Sequence, residues 1–247
     1  MRILFIAFFI FTLSQIKANE KLEDNLNVVS AHKADEHEVL DELLRKYVSS
    51  TGQVDYKGLS AEHDKLKSYL RKMGEEAPSR GFSKYKQLAY WINLYNAATL
   101  DLVLFHYPLK SIKDIDDPWD IAFVKVEGET YSLNNIEHDI IRKRFDEPRI
   151  HFAVNCAAVS CPKLRNEAYT ADKLGSQLDD QADYFINTSG KNSISSNTLK
   201  LSKIFEWYKE DFVKDGTLPA YIATYAKTSF QRDAKITYLE YDWSLNE

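Results

Sequence analysis

Two cysteines, two histidines and a glutamate crowd into one stretch of the chain, and together they could carry out nucleophilic catalysis. A cysteine nucleophile needs a base beside it and a third group that orients the base. The predicted nucleophile is Cys156, with Cys161 as the alternative. His138 or His151 would take the proton, and Glu137 would orient that histidine. This first hypothesis is a thiol-dependent hydrolase or acyl transferase with a Cys-His dyad.

The same two cysteines lie five residues apart, and in an oxidising compartment such a pair forms a disulfide readily. In the second hypothesis, a Cys156–Cys161 disulfide shapes a polar pocket for a small molecule or peptide, without catalysis. The side chains predicted to bind the ligand are Asn93, Asn96, Asn155 and Ser160. The close spacing of the cysteines favours this binding module over the thiol enzyme, and counting free thiols distinguishes the two.

Asn93 and Asn96 lie three residues apart in an apolar segment, so they share one face of a predicted helix. A buried amide without a hydrogen-bond partner is costly, so both side chains need partners. Either they line the site, or they brace a loop such as 155–162. The apolar surroundings favour the brace.

No metal site and no cofactor are predicted. Glu137 and His138 are adjacent, so they cannot both face one ion from a helix, and a His-Glu-x-x-His pattern is absent. Only eight glycines occur, and none forms a phosphate-binding loop or a Gly-x-Ser-x-Gly elbow. The net charge of -5 argues against a nucleic-acid partner, because phosphate binding requires clustered positive charge.

The N-terminus has the pattern of a secretory signal peptide. Met1 and Arg2 precede an uncharged apolar run over 3–13, and 14–18 turns polar and ends on Ala18. The run is shorter than the roughly 20 residues that span a bilayer, and no later segment is apolar enough to do so. The sequence therefore predicts a signal peptide over 1–18, a flexible leader over 19–33, and a periplasmic or secreted protein without an integral membrane segment.

The elements that must position the candidate site are mostly helical. Apolar spacing predicts helices over 35–47, 60–73, 83–106, 134–145, 171–186, 203–212 and 219–226. Short strands are predicted on either side of Gly128, over 150–155, as two pieces within 194–201, and over 236–241. No linker divides 34–247, and strands do not alternate regularly with helices. These features predict one α+β domain in which a small, mostly antiparallel sheet packs on the long central helix.

The apolar run over 150–155 is predicted to be a central strand leading into the cysteine loop. In a regular strand, His151 and Cys156 would point to opposite faces. This geometry favours His138 as the base for Cys156.

Several of these segments resemble the family known as domain of unknown function 547. The matching stretches are VDYKGL at 54–59, YWINLYNA at 90–97, YSLNNIEHDIIR at 131–142, HFAVNCAAVSCPKL at 151–164 and YDWSLN at 241–246. The resemblance implies an exported bacterial protein and supports the domain boundary more than a reaction. The motif positions that carry over are Asn93, Asn96, Glu137, His138, His151, Asn155, Cys156, Ser160 and Cys161.

A weaker analogy connects the predicted arrangement to papain and transglutaminase-type folds, which also pack a core helix on a small sheet. In those folds the cysteine begins the core helix and precedes the histidine. Here His138 precedes Cys156, and the helix carries Asn93, so only a permuted version would fit. The analogy concerns the fold and says little about chemistry.

Overall fold

The computed structural model describes residues 36–247 of the chain. The predicted signal peptide and leader lie outside the described residues, so export stays a prediction. Val39–Glu247 forms one compact unit. Within residues 36–247, no helix combines the length and apolar character that a bilayer crossing requires.

Helices dominate the described chain. They are α1 (Glu38–Tyr47), α2 (Tyr56–Ser60), α3 (His63–Glu75), α4 (Lys84–His106), α5 (Arg142–Arg144), α6 (Leu174–Asn187), α7 (Ile204–Trp207), α8 (Lys209–Phe212) and α9 (Leu218–Tyr225). Two 3-10 helices cover Ile112–Asp114 and Pro148–Phe152, and a π-helix covers Asn135–Ile141.

Five short strands form two separate sheets. Strands β1 (Val124–Val126) and β2 (Glu129–Tyr131) make an antiparallel hairpin, and β3 (Ser193–Ser195), β4 (Thr198–Leu201) and β5 (Lys235–Tyr238) make the second sheet in that order. In the second sheet β3 and β4 are antiparallel, whereas β4 and β5 are parallel. The predicted turn between β1 and β2 is confirmed, since Glu127 and Gly128 have φ of 50° and 88°, as a tight hairpin turn requires.

Helix α4 runs through the core, as its apolar residues predict. Ser83 caps its start by accepting a hydrogen bond from the backbone of Lys86 at 3.2 Å, and Pro108 follows its end. The buried apolar residues of α4 belong to one hydrophobic cluster, which also includes Val124 and Val126 of β1. The α+β class and the long central helix are confirmed.

A second hydrophobic cluster forms around the three-stranded sheet. Its aromatic members are Phe152, Phe185, Phe205 and Phe212. The buried residues of β4, Leu199 and Leu201, belong to this cluster and not to the one that contains α4. The hairpin therefore shares the hydrophobic cluster of the central helix, whereas the three-stranded sheet has a cluster of its own.

The predicted strand over 150–155 is wrong, because a 3-10 helix covers Pro148–Phe152. Glu147 accepts a hydrogen bond from the backbone of Arg149 at 3.2 Å, and Pro148 occupies the first helical position, so a 3-10 helix begins there. The segment is apolar because it is buried on all sides, and a short buried run can belong to either type of element. His151 lies in this 3-10 helix, so it and Cys156 do not occupy opposite faces of a strand.

The helix predicted over 60–73 begins later, at His63. Asp55 accepts a hydrogen bond from the backbone of Gly58 at 2.7 Å and caps α2, so Ser60 ends this helix instead of starting the next one.

The segment over 242–246 binds back across the cysteine loop. The backbone N–H groups of Ser160 and Val159 donate to Asp242 and Ser244 at 3.1 and 2.8 Å. The N–H of Asn246 donates to Ala157 at 3.1 Å. This segment and the loop over 155–162 therefore hold each other in place.

Candidate functional site

Both cysteines of the chain form one disulfide, Cys156–Cys161, with Cα atoms 6.1 Å apart. The disulfide prediction is confirmed. Cys156 is half-buried, whereas Cys161 is 3% exposed. Neither sulfur is a thiol in this state, so a thiol nucleophile would exist only after reduction.

Among the described residues, neither predicted base forms a hydrogen bond with the predicted nucleophile. In the described part of the chain, the hydrogen-bonding neighbour of Cys156 Sγ is the hydroxyl of Tyr241 at 3.2 Å, not His138 or His151. The sulfur of Cys161 accepts a hydrogen bond from the backbone of Cys156 at 2.8 Å. The disulfide therefore connects the loop to an aromatic side chain that the sequence did not single out.

Asparagine side chains position this loop. Asn155 donates to the carbonyl of Pro162 at 2.7 Å and accepts from the N–H of Ala157 at 2.9 Å. Asn96 on α4 donates to the carbonyl of Ala153 at 3.0 Å and accepts from the N–H of Asn155 at 2.9 Å. Both side chains therefore bind backbone groups in and next to the cysteine loop, and they determine where Cys156 lies.

Two other residues predicted to bind a ligand also contact backbone. Asn93 is 1% exposed, donates to the carbonyl of Tyr169 at 2.8 Å and accepts from its N–H at 2.9 Å. Ser160 accepts a hydrogen bond from the N–H of Asp242 at 2.9 Å. Ligand binding by these side chains stays a prediction, and their observed contacts are structural.

Glu137 lies in the π-helix over 135–141, an uncommon conformation that often accompanies functional sites. Its side chain faces the interior, and the residue is 5% exposed. Its Oε1 atom is buried and has no hydrogen-bond partner among the described residues. A buried acceptor left unpaired costs about 1–3 kcal/mol, so this atom requires an explanation.

Three tyrosines surround this carboxyl group. Burial, and then the negative charge of Glu137, raise the pKa of Tyr95 and Tyr208 well above the ordinary tyrosine value. The pKa of Tyr241 rises for the same two reasons. The three hydroxyls therefore stay protonated at neutral pH and surround Glu137 as neutral polar groups.

His151 belongs to the same cluster. Its Nε2 donates to Asp211 Oδ2 at 2.7 Å, and its ring stacks on Tyr208 with ring centroids 3.9 Å apart. Burial lowers the pKa of His151, so the ring is neutral and its Nδ1 is an acceptor. That Nδ1 atom is buried and, like Glu137 Oε1, has no partner in the described chain.

Arg142 joins both predicted histidines into one network. Its Nε donates to Asp211 Oδ2 at 2.7 Å, and its Nη1 donates to His138 Nδ1 at 3.0 Å. The hydrogen bond from His151 and the one from Arg142 hold the pKa of Asp211 well below its usual range. Asp211, not Glu137, is thus the carboxylate that orients His151.

Exposed aromatic rings lie next to this network. Trp207 is 47% exposed, and its ring lies 4.8 Å from that of Tyr241 and 5.8 Å from that of Trp243, centroid to centroid. Because the Tyr241 hydroxyl also contacts Cys156, the aromatic surface continues to the disulfide. We call Trp207, Tyr241 and Trp243 the aromatic rim.

The structure thus brings Glu137, His138 and His151 into one cluster with Tyr208, and Cys156 adjoins it through Tyr241. Sequence reasoning missed the network residues Tyr95, Arg142, Tyr208, Asp211 and Tyr241. Their partners lie far away in the chain, and tyrosines in apolar segments look like ordinary core residues. In residues 36–247 no three His, Cys, Asp or Glu side chains group as metal ligands would.

One comparison with known proteins gives a match. Residues 79–186 match a family model described as a protein of unknown function, DUF547. This span includes α4, Glu137, His151 and the cysteine loop, and it ends before Asp211 and the aromatic rim. No curated protein and no solved structure matches the chain.

Proposed function

We propose that this chain, whose residues 79–186 match the DUF547 family model, is an exported module that binds a small molecule or peptide. The geometry of the site favours a ligand rich in hydrogen-bond donors. The observation that carries this proposal is the pair of buried, unpaired acceptors, Glu137 Oε1 and His151 Nδ1.

Both unpaired atoms accept hydrogen bonds and neither can donate one. A ligand that satisfies them must therefore bring hydroxyl, amide N–H or ammonium groups. The hydroxyls of Tyr95 and Tyr208 stay protonated and hydrogen-bond Glu137, so their oxygens can accept hydrogen bonds from the same ligand. Satisfying two buried acceptors recovers a desolvation cost that the unliganded protein bears.

Charge supports the same class of ligand. Arg142 and Asp211 neutralise each other at 2.7 Å, and the lowered pKa of His151 keeps that ring neutral. Glu137 has no cation within ion-pair distance in the described residues. A donor group that carries a positive charge would bind more strongly than a neutral one.

The aromatic rim supplies the apolar part of the site. Ligand sites combine aromatic surface with a few polar groups, and an exposed indole offers a flat face on which a ring or an apolar side chain can stack. Trp207 is the exposed member of the rim, and Tyr241 links it to the disulfide.

A thermal-shift screen tests the proposal with three sets of probes: monosaccharides, primary amines and dipeptides. Glu137→Gln replaces one acceptor with a neutral amide, and Asp139→Asn makes the same charge change at an exposed position of the same π-helix. We expect at least one set to stabilise the wild type and Asp139→Asn, and to act at least tenfold more weakly on Glu137→Gln. Equal stabilisation of both variants, or no stabilisation of the wild type, would contradict the proposal.

The alternative function is the thiol-dependent hydrolase or acyl transferase. The partial exposure of Cys156 supports it, because a nucleophile must be reachable by its substrate. An external dithiol would break the Cys156–Cys161 bond, give two protein thiols, and itself become a disulfide. Cys156, the half-buried cysteine beside Tyr241, would then be the nucleophile, with His151 as the base and Asp211 as the group that orients it.

This alternative is tested with a thioester probe under reducing conditions. Hydrolysis that appears with the reductant, and disappears in Cys156→Ser but not in Cys161→Ser, would establish the enzyme. Hydrolysis that is equal with and without reductant would exclude a thiol mechanism.

A further inference from the structure

A cavity of about 110 Å³ lies behind the cysteine loop and is lined by groups other than those of the proposed ligand site. Its walls come from residues 51–53, the loop, and the side chains of Lys163, Lys191 and Asn246. Neither Glu137, His151 nor any member of the aromatic rim lines it. The cavity is therefore a separate feature of the molecule.

Lys191 contributes a buried ammonium group to this cavity. Its Nζ donates to the carbonyl of Cys161. In the described chain no carboxylate lies within ion-pair distance of it. Burial lowers the pKa of Lys191 to about 8, because the charged form loses hydration and gains no opposite charge.

A second lysine lines the same cavity. Lys163 Nζ donates to the carbonyl of Ser50 at 3.2 Å and lies 4.1 Å from the ring centre of Tyr184. Burial, and then the charge of Arg165, lower the pKa of Lys163. It too has no carboxylate partner among residues 36–247.

The carboxyl side chain in the lining does not neutralise these cations. Glu247 accepts a hydrogen bond from Tyr107 at 2.5 Å and lies outside ion-pair distance of both Lys163 and Lys191. A buried cation and a half-buried one without an anion beside them are costly, and a protein that retains them gains from binding one.

We propose that this cavity binds the carboxylate group of a small acid or of a peptide C-terminus, with Lys191 and Lys163 as its two cationic contacts. The volume equals that of three to four water molecules at about 30 Å³ each, which fits a carboxylate and its first methylene groups. The side-chain amide of Asn246 lies in the same wall, where its Nδ2 donates to the carbonyl of Gly52 at 3.3 Å and its Oδ1 accepts from Tyr56 at 2.8 Å.

The test measures carboxylate-dependent stabilisation of the mature protein, with acetate as the small-acid probe and sodium chloride replaced to keep ionic strength constant. Lys191→Gln removes the proposed contact, and Lys200→Gln removes an exposed lysine of β4 that does not line the cavity. We expect acetate to stabilise the wild type and Lys200→Gln, and to bind at least tenfold more weakly to Lys191→Gln. An equal response in the two variants would overturn the proposal, as would no response in the wild type to either acetate or a free-acid peptide.

Two further measurements keep the result interpretable. Should Lys191→Gln not fold, Lys163→Gln replaces it with the same expected loss of the acetate response. A short peptide with a free C-terminus is then compared with its amidated form. Stronger binding of the free acid than of acetate identifies the peptide as the source, and the reverse order identifies a small acid.

The pH dependence gives an independent readout. Because Lys191 loses its proton above about pH 8, acetate binding to the wild type should weaken by up to about tenfold per pH unit above that value. An ordinary surface lysine would retain its charge to about pH 10. Glu137→Gln should leave the acetate response unchanged, so failure of this site and failure of the proposed function are distinguishable.

Discussion

Asn96 Oδ1 lies 2.9 Å from the backbone nitrogen of Asn155, so the central helix holds the residue immediately before the disulfide. The same side chain donates to the carbonyl of Ala153 at 3.0 Å. One buried amide thus connects the long central helix to the loop that borders both proposed sites.

Replacing this amide should destabilise the protein without changing its surface. Asn96→Ala leaves the carbonyl of Ala153 and the N–H of Asn155 buried and unpaired, which should lower the free energy of unfolding by about 2–4 kcal/mol. Urea denaturation measures the change. Asn197→Ala, at an exposed turn, should change it by less than about 0.5 kcal/mol. Similar effects of the two substitutions would show that Asn96 is not a brace.

The disulfide should stabilise the protein modestly because it closes a short loop. The cysteines lie five positions apart in the sequence, and the loop-entropy relation gives about 2 kcal/mol for a loop of this size. The double variant Cys156→Ser/Cys161→Ser should be less stable by this amount in denaturant and insensitive to dithiothreitol. Thiol titration of the denatured, unreduced wild type should find no free thiol, and two thiols per chain would contradict the disulfide.

Acid should weaken the folded state in two steps, of which the first comes from His151. Burial lowers the pKa of this imidazole below its unfolded value of about 6.5, so the unfolded chain binds a proton that the folded chain does not. The free energy of unfolding should therefore fall as pH drops from 7 towards 5. His151→Gln should flatten this part of the curve, whereas His106→Gln, at an exposed position, should not.

The second step comes from Asp211. Its hydrogen bonds from His151 and Arg142 lower its folded pKa, so its contribution is complete above the unfolded value of about 4 and is lost as pH falls below that value. Asp211→Asn should remove the pH dependence of the free energy of unfolding below about pH 4. A curve for this variant that still steepens below pH 4 as in the wild type would mean that other carboxylates dominate acid unfolding.

Export is tested at the N-terminus. Cleavage after Ala18 predicts that the protein secreted by a bacterial host begins at Asn19, which the intact mass reports. Ile10→Asp breaks the apolar run and should leave the full-length precursor inside the cell. Leu26→Asp, in the predicted leader, should be processed normally. A secreted protein that retains residues 1–18 would contradict the signal peptide.

Features with a local cause could be predicted from the sequence. The long helix α4 follows from its apolar residues with Ser83 before and Pro108 after, and the β1–β2 turn follows from Gly128. The disulfide follows from two close cysteines. In each case the residues that determine the structure are neighbours in the chain.

Features that depend on distant partners could not be predicted. The run over 150–155 looks like a strand because it is continuously apolar, yet Glu147, Pro148 and the side chain of Asn96 hold it in a 3-10 helix and the turn that follows. Asp211 comes sixty residues after His151, in a short charged helix that looks like ordinary surface. Only the fold shows that the two side chains meet.

The segment over 242–246 has a consequence for biosynthesis. It supplies the backbone hydrogen-bond partners of Ser160, Val159 and Ala157. The cysteine loop therefore cannot form all of its hydrogen bonds until residues 242–246 have been synthesised. A nascent chain interrupted before residue 242 would lack the contacts that fix Cys156 and Cys161 relative to each other. We expect oxidation of the pair to finish only after residues 242–246 have left the ribosome, so a chain truncated before residue 242 should retain free thiols.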